Sequence, residues 1–482
     1  MRTSELSCCA PVLANRSSAR VVAAAAWYVL ASFVLPVPML TAGDDETRLL
    51  DKKLVVVAPA EFHACLADFL AHKAQQLPTE LVALEDVLQD RTGVDDPEKL
   101  KRFLFQRWRD DRLGYALLVG DVDLMPVRYM VLDRVTPAAF DYAFYPSDLY
   151  YADLAKADGS FDDWNASRAG FREQYFGEVR GEKNKDGPIN EDQVDYLPDI
   201  AVGRWPVSTA EQAAIAARKT IRYEQGLLAG DKPGRNRAAL LAVQGWVDSR
   251  RLLDGVAREL SPRWQITKLY YAEGYAEQTT PPTEAALYDL LNTGVGLVLH
   301  TGHGETNRWD HCCTVAGLAK VNNADRLPVL FSVGCSTAHF APLAPYDAYT
   351  DTDGAAHRGT DHGEVFSAPP PPPAAYQRQF NRTGLGEAAL RLGDNGAVAY
   401  IGCNTGSQPC AQTLLVGFAK ALATADKPRL GDAWASAVRY YHAEERLADL
   451  RPQASWYPPS IFFQGMKFMV FGDPTLRMPA AD

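Results

Sequence analysis

Gly296-Leu297-Val298-Leu299-His300-Thr301-Gly302-His303-Gly304-Glu305 and Val329-Leu330-Phe331-Ser332-Val333-Gly334-Cys335-Ser336-Thr337 are built alike. Each is a short apolar run that breaks on glycine beside a reactive side chain. Runs of this length, rich in Val, Leu and Phe, read as buried strands. A strand apolar on both faces needs cover on both faces, which is the habit of parallel α/β sheets. The chain between the two runs is long enough for one crossover, which takes a dozen or more residues. In such sheets ligands bind beyond the carboxyl ends of the strands. A histidine and a cysteine past two neighbouring ends would meet there.

The same rhythm extends outward in both directions. Leu54–Val57, Leu81–Leu84, Tyr115–Val119 and the region of Ile200–Val202 read as strands toward the N-terminus. Phe62, Leu66, Phe69 and Leu70 recur at helical spacing between the first two. Ser208-x-x-Glu211 has the form of a capping box and opens a helix holding Ile215 and Ile221. Gly230 to Gly234, with Pro233, then marks a boundary. A second alternation follows, with strands at Ala238–Val243, Ile266–Tyr271, Val295–Leu299, Pro328–Val333 and Ala397–Ile401. From Ala341 to about Arg382 the rhythm fails. That segment, with Pro369 to Pro373, predicts an extended, solvent-exposed insertion of polyproline character. The expected organisation is an N-terminal segment 1–50, an α/β subdomain 51–230 and a larger subdomain 231–482 carrying the insertion at 341–382.

The chemistry of the pair is plain. A free thiol titrates near ~8.5, so little of it is thiolate at neutral pH. An imidazole beside it raises that fraction and can deliver a proton to a leaving amine. Backbone N–H groups of Gly304 and Cys335 would point at a developing oxyanion. The plain alternatives are a buried small hydrophobe for the cysteine and a structural histidine. Spacing alone leaves both readings open.

Composition narrows the field. The chain has 482 residues, 47% of them hydrophobic and 23% charged, which suits two or three folded units. A net charge of -11 argues against nucleic acid as a partner. Eight cysteines without a C-x-x-C are too sparse for a disulfide framework or a zinc ribbon. His300, His303, His311, Cys312 and Cys313 form a rival zinc set, although the Thr-Gly between the first two favours a loop over a helix. Asp351 and Asp353 admit structural calcium but lack the twelve-residue loop pattern. No Gly-x-Ser-x-Gly elbow is present, against a serine hydrolase. Val21 to Leu35 is an uncharged apolar run behind Arg16 and Arg20, followed by Thr41-Ala42-Gly43. It predicts export through a signal or anchor, with a cytoplasmic protein as the alternative, and no stable membrane span beyond it.

Taken together, the segments resemble the catalytic domain of the gingipains, cysteine peptidases of the caspase-like group. His300-Thr301-Gly302-His303-Gly304 and Val333-Gly334-Cys335-Ser336-Thr337 match the family's catalytic segments. Lys53–Val57, Leu117-Leu118-Val119-Gly120-Asp121 with Pro126, Ser147–Tyr151, Asp199–Arg204 and Phe471-Gly472-Asp473-Pro474-Thr475-Leu476 match others in order. The resemblance covers about residues 51–482 without the insertion. It implies a caspase-like α/β sandwich, a parallel sheet with helices on both faces, built as two side-by-side subdomains. It selects His303 over His300 as general acid/base and makes Cys335 the nucleophile of an endopeptidase on protein or peptide substrates. It offers Asp148 as the acid that orients the imidazole. It aligns Asp195 with the carboxylate that takes a P1 arginine, through a charge-assisted contact. No cofactor is required.

The insertion has no counterpart in that pattern. Because it follows closely on Cys335, it is expected to cover or gate the cleft. Neither a long propeptide domain before residue 51 nor an immunoglobulin-like domain after Phe471–Pro474 is expected. The alternative function is an inactive, peptidase-like scaffold, which loss of the cysteine or histidine would have signalled.

Overall fold

The computed structural model describes residues 52–89, 92–132, 143–168, 173–179, 188–230, 234–377, 383–391, 393–451, 461–462 and 464–479. The apolar run Val21 to Leu35 lies outside them, as do residues 231–233 and 378–382. No helix among the described residues is long and apolar enough to cross a membrane. Residues 48–482 form one compact unit.

Its centre is a ten-stranded sheet. In chain order the strands are β1 (Lys53–Ala58), β2 (Thr79–Ala83), β3 (Leu113–Val119), β4 (Ala201–Trp205), β5 (Arg237–Ala242), β6 (Gln265–Tyr270), β7 (Leu297–Thr301), β8 (Val329–Val333), β9 (Ala399–Cys403) and β10 (Phe468–Phe471). Across the sheet they run β2-β1-β3-β4-β10-β9-β8-β7-β5-β6. Strands β1 to β4 come from the first alternation and β5 to β9 from the second. The last strand lies between the two sets.

Alternate residues of each strand enter different cores, as the period of two requires. Val55, Val57, Ala116 and Leu118 face one side. There they meet helices α2 (Asp96–Asp111), α4 (Arg250–Leu260), α7 (Gln412–Thr424) and α8 (Leu430–Glu444). Leu54, Val56, Tyr115 and Leu117 face the other. There they meet α1 (Ala67–Ala74), α3 (Ala210–Leu228), α5 (Glu284–Thr293) and α6 (Leu385–Arg391). Both faces are therefore covered, which is why the strands read as unbroken apolar runs.

The sheet is parallel within each set and reverses once. β10 is antiparallel to β9, with Cys403 opposite Phe468, and parallel to β4, with Phe471 beside Arg204. The expected parallel sheet is thus a mixed one. The reversal has a consequence for any site at its edge. The edge that carries the carboxyl ends of β7, β8 and β9 also carries the amino ends of β10 and β4. Residues just before β10 and β4 therefore approach the same edge as residues just after β7 and β8.

One further reading is corrected and another holds in part. Helix α3 is capped by Thr209, whose hydroxyl accepts from the Gln212 N–H, while the Gln212 side chain accepts from the Ser208 N–H. The box lies one residue later than Ser208-x-x-Glu211. The proline-rich insertion is exposed in part, as expected, and in part packed as a strap against the body. Ala341 to Pro345 are buried, and so are Tyr349, Pro370, Pro372 and Pro373. The Pro370 carbonyl accepts from the Tyr175 hydroxyl at 2.9 Å. The Ala375 carbonyl accepts from the Val127 N–H at 3.0 Å. Proline carbonyls stay available as acceptors although the residue has no N–H, so such a segment can dock without entering a sheet. Its hairpin tip, 352–356, and the short stretches 361–363 and 367–369 are exposed.

Candidate active site

Strands β7 and β8 are parallel neighbours, and their register pairs Thr301 with Val333. His303 stands two residues past Thr301, and Cys335 two residues past Val333. The two side chains thus leave adjacent strands at the same height. Gly304 lies against the nucleophile segment: a Cβ there would sit 2.9 Å from the Cys335 carbonyl oxygen and 3.3 Å from its nitrogen. Only glycine allows this approach, which brings the backbones of the two expected oxyanion donors together.

His303 is exposed, and its Nε2 lies 2.8 Å from the Gly245 carbonyl oxygen. A carbonyl only accepts, so Nε2 carries a proton and a neutral ring keeps Nδ1 as its acceptor. Gly245 follows β5, the next strand over, and has φ +102, a backbone conformation natural to glycine. On the other side, Cys335 meets the loop after β9. The Ser407 N–H reaches Sγ at 3.3 Å, and Sγ lies 3.7 Å from the Ser407 carbonyl oxygen. Four neighbouring strands, β9, β8, β7 and β5, therefore each deliver one group past a carboxyl end: Ser407, Cys335, His303 and Gly245.

Asp148 is placed elsewhere. Both its oxygens are held by Arg204, Oδ2 by Nε at 2.8 Å and Oδ1 by Nη2 at 2.7 Å. Burial opposes the charge of Arg204, and Asp148 holds the guanidinium above its ordinary value. The partner of His303 is a backbone carbonyl instead. Asp195 lies before β4, whose amino end shares an edge of the sheet with the carboxyl ends of β7 and β8. Its Oδ1 accepts from the Leu197 N–H at 2.8 Å. Its carboxylate also lies with those of Asp153 and Asp162, with oxygens within 4.8 Å of one another.

That trio is the one group of three such side chains close enough to share a cation among the described residues. Lys101 already supplies charge of that sign. It is fully buried, and Asp153 and Asp162 act against the burial that pushes its ammonium down to about 8. The zinc set is not assembled. His300 is buried, stacks on Trp309 at 4.4 Å, and lies 2.9 Å from the Ser332 hydroxyl through Nδ1. Burial pushes it down to about 3, so it stays a neutral structural ring. Asp351 spends its carboxylate on its own hairpin, on the Asp353 and Ala355 N–H groups and on His357.

Known proteins bear on this arrangement. The profile of peptidase family C25 matches residues 48–479. The chain belongs to peptidase family C25. Gingipain R2 of Porphyromonas gingivalis is 22% identical over 303 residues, 61% of this chain and 33% of the relative. Lys-gingipain of the same organism is 25% identical over 147 residues, 30% of this chain and 8% of the relative. The C25 chain therefore spans about a third of the gingipain R2 it matches. Among solved structures, the Arg-specific cysteine proteinase gingipain R superposes with a TM-score of 0.58 at 18% identity, covering 89% of this chain and 78% of that one. The complex of the P. gingivalis gingipain pro- and mature domains gives a TM-score of 0.59 at 18% identity, with 88% and 79% covered. The C25 chain has the gingipain fold, the caspase-like α/β class that its sequence motifs imply.

Sequence reasoning passed over Gly245 and Ser407. Both follow predicted strands at the carboxyl edge, Ala238–Val243 and Ala397–Ile401. They act through backbone atoms, which no residue type announces.

Proposed function

We propose that the chain is a cysteine endopeptidase in which Cys335 is the nucleophile and His303 the general acid/base. The observation that carries this reading is the equal height of the two residues beyond the Thr301–Val333 pair. In the proposed reaction the Cys335 sulfur attacks the scissile carbonyl and a carbon–sulfur bond forms. The oxyanion is received by the N–H groups of Gly304 and Cys335. His303, carrying on Nδ1 the proton released when the Cys335 S–H bond breaks, passes it to the leaving amine, and the peptide C–N bond breaks to leave a thioester. Water, giving its proton to His303, then releases the acid. The Gly245 carbonyl keeps the ring oriented throughout, because Nε2 donates to it in both the neutral and the charged form.

The substrates we propose are peptides with a basic P1 residue, received by Asp195. Support comes from its place before β4, whose amino end lies at the nucleophile's edge of the sheet. The relatives named Arg-specific and Lys-gingipain agree with that class. A series of fluorogenic peptides differing only at P1 tests both parts. Wild type should turn over the Arg and Lys members and Cys335→Ala none. Asp195→Asn should lower kcat/KM for those two by at least tenfold while sparing P1 Ala. Preference for P1 Asp or a small residue would overturn the specificity, and turnover by Cys335→Ala would overturn the mechanism.

A further inference from the structure

Cys335 lies against the loop 404–408, which leaves β9 at the site's edge. The Thr405 carbonyl accepts from the Ser336 N–H at 2.8 Å, and Ser407 meets Sγ with both its N–H and its carbonyl. A thiol can donate to that carbonyl and a thiolate can accept from that N–H, so Ser407 meets either state. The loop is itself held from below by α9 (Gln464–Lys467), at two points flanking Ser407. The Lys467 ammonium donates to the Gly406 carbonyl at 3.1 Å, and the Gln464 side chain accepts from the Gln408 N–H at 3.0 Å. The Lys467 carbonyl also accepts from the Asn404 N–H at 2.9 Å.

Lys467 is only 6% exposed. A buried ammonium is costly unless negative charge compensates it. Burial pushes this one down to about 8, and the groups that act against burial are three thiols, Cys403, Cys335 and Cys410. Tyr145 adds its ring face, 5.6 Å from the nitrogen. Cys403 is pushed up to about 12 by burial, and Cys410, faced by Tyr441 and Glu445, to about 11, so both keep their protons near neutrality. Cys335, half-buried at the cleft, is the thiol of the three that can carry charge there. His303 stands across it, over β7 and β5.

We infer that Lys467 is a positioning residue for the nucleophile: it holds the 404–408 loop so that the Ser407 N–H faces Sγ, and its charge stabilises the Cys335 thiolate. On ionisation the S–H bond breaks, the proton passes to His303 or to water, and Lys467 keeps its own. A cation beside a cysteine lowers its titration point by this route. The inference deepens the cysteine-peptidase reading and rests on Cys335 as its nucleophile.

The test needs no substrate. Alkylation of Cys335 by iodoacetamide is followed against pH in the full chain, by mass spectrometry of the peptide that contains it. Lys467→Gln keeps an N–H for the Gly406 carbonyl and removes the charge. Its alkylation midpoint should rise by about one pH unit, a roughly tenfold smaller thiolate fraction below the midpoint. Lys467→Arg should stay at the wild-type midpoint, and Lys467→Met should shift at least as far as Lys467→Gln. If Lys467→Met does not fold, the Gln and Arg variants still decide. Equal midpoints in wild type, Lys467→Gln and Lys467→Arg would overturn the inference. A Lys467-dependent midpoint without peptide turnover would uphold it and sink the peptidase reading instead.

Discussion

Removing the Asp148 carboxylate separates a structural role from a catalytic one. Arg204 is fully buried and takes both oxygens of Asp148, at 2.8 and 2.7 Å. Asp148→Ala leaves it only the carbonyls of Gly120 and Pro126, at 3.1 and 3.4 Å. Two hydrogen bonds between charged groups are lost, each worth ~1.5–3 kcal/mol, and a buried cation loses its counter-charge. Breaking a buried pair from one side costs about 3–5 kcal/mol. With a urea slope of about 3 kcal/mol/M for a unit of this size, the unfolding midpoint should fall by roughly 1 M. Arg204→Met should fall similarly. The double variant should lose less than the two singles combined, because no buried charge is left uncompensated. Activity of the still-folded Asp148→Ala protein should keep the wild-type pH profile, since His303 is oriented by Gly245. An unchanged urea midpoint together with a collapsed kcat would refute this reasoning and return Asp148 to the reaction.

Gly304→Ala puts a methyl group 2.5 Å from Thr337 Cγ2 and 2.9 Å from the Cys335 carbonyl oxygen, so the two segments must part: kcat should drop by about 10²-fold or more, the scale of losing an oxyanion donor, and the urea midpoint should fall as well. In the insertion, His357 lies between Asp351 at 3.0 Å and Glu364 at 2.8 Å. Burial opposes its charge, yet the two carboxylates raise it above its ordinary value, while Asp351 and Glu364 are themselves held low. The stabilisation is complete below the unfolded histidine value of about 6.5 and fades as pH rises through the raised folded value. It also fades in acid, as pH falls through the lowered values of the two carboxylates. Thermal unfolding of wild type and His357→Gln should therefore differ most at mildly acidic pH and converge under alkaline conditions. Lys101→Met removes the cation beside Asp153 and Asp162 and should lower the urea midpoint by the equivalent of about 3 kcal/mol, an effect absent from an exposed control such as Lys320→Met.

Much of this was legible because one physical rule governs the strands. Val55, Leu117, Val298 and Phe331 lie in strands covered on both sides, so apolar runs announced them directly. The glycine breaks after Thr301 and Val333 then placed His303 and Cys335 at the ends where ligands bind. Register did the rest, and sequence cannot give register between strands far apart in the chain. Lys467 was invisible for a related reason. It precedes a strand, and only the reversal at β10 brings an amino end to that edge. Gly245 and Ser407 contribute backbone groups, which carry no residue signature. For Asp148, a carboxylate looks the same in sequence whether it meets an imidazole or, as here, a buried guanidinium. The prolines of the insertion marked where the strand–helix rhythm breaks. The docking of the Pro370 carbonyl onto Tyr175 depended on a partner far away in sequence.

The pairing of Cys335 with His303 is tested most directly by a peptidyl chloromethyl ketone with P1 arginine, read as a mass increase on the Cys335 peptide. The account predicts one equivalent of label on Cys335 at neutral pH. None should appear in Cys335→Ala, and labelling in His303→Ala should be slowed by at least a hundredfold. Folded protein that takes no label, or that labels equally fast without His303, would contradict it.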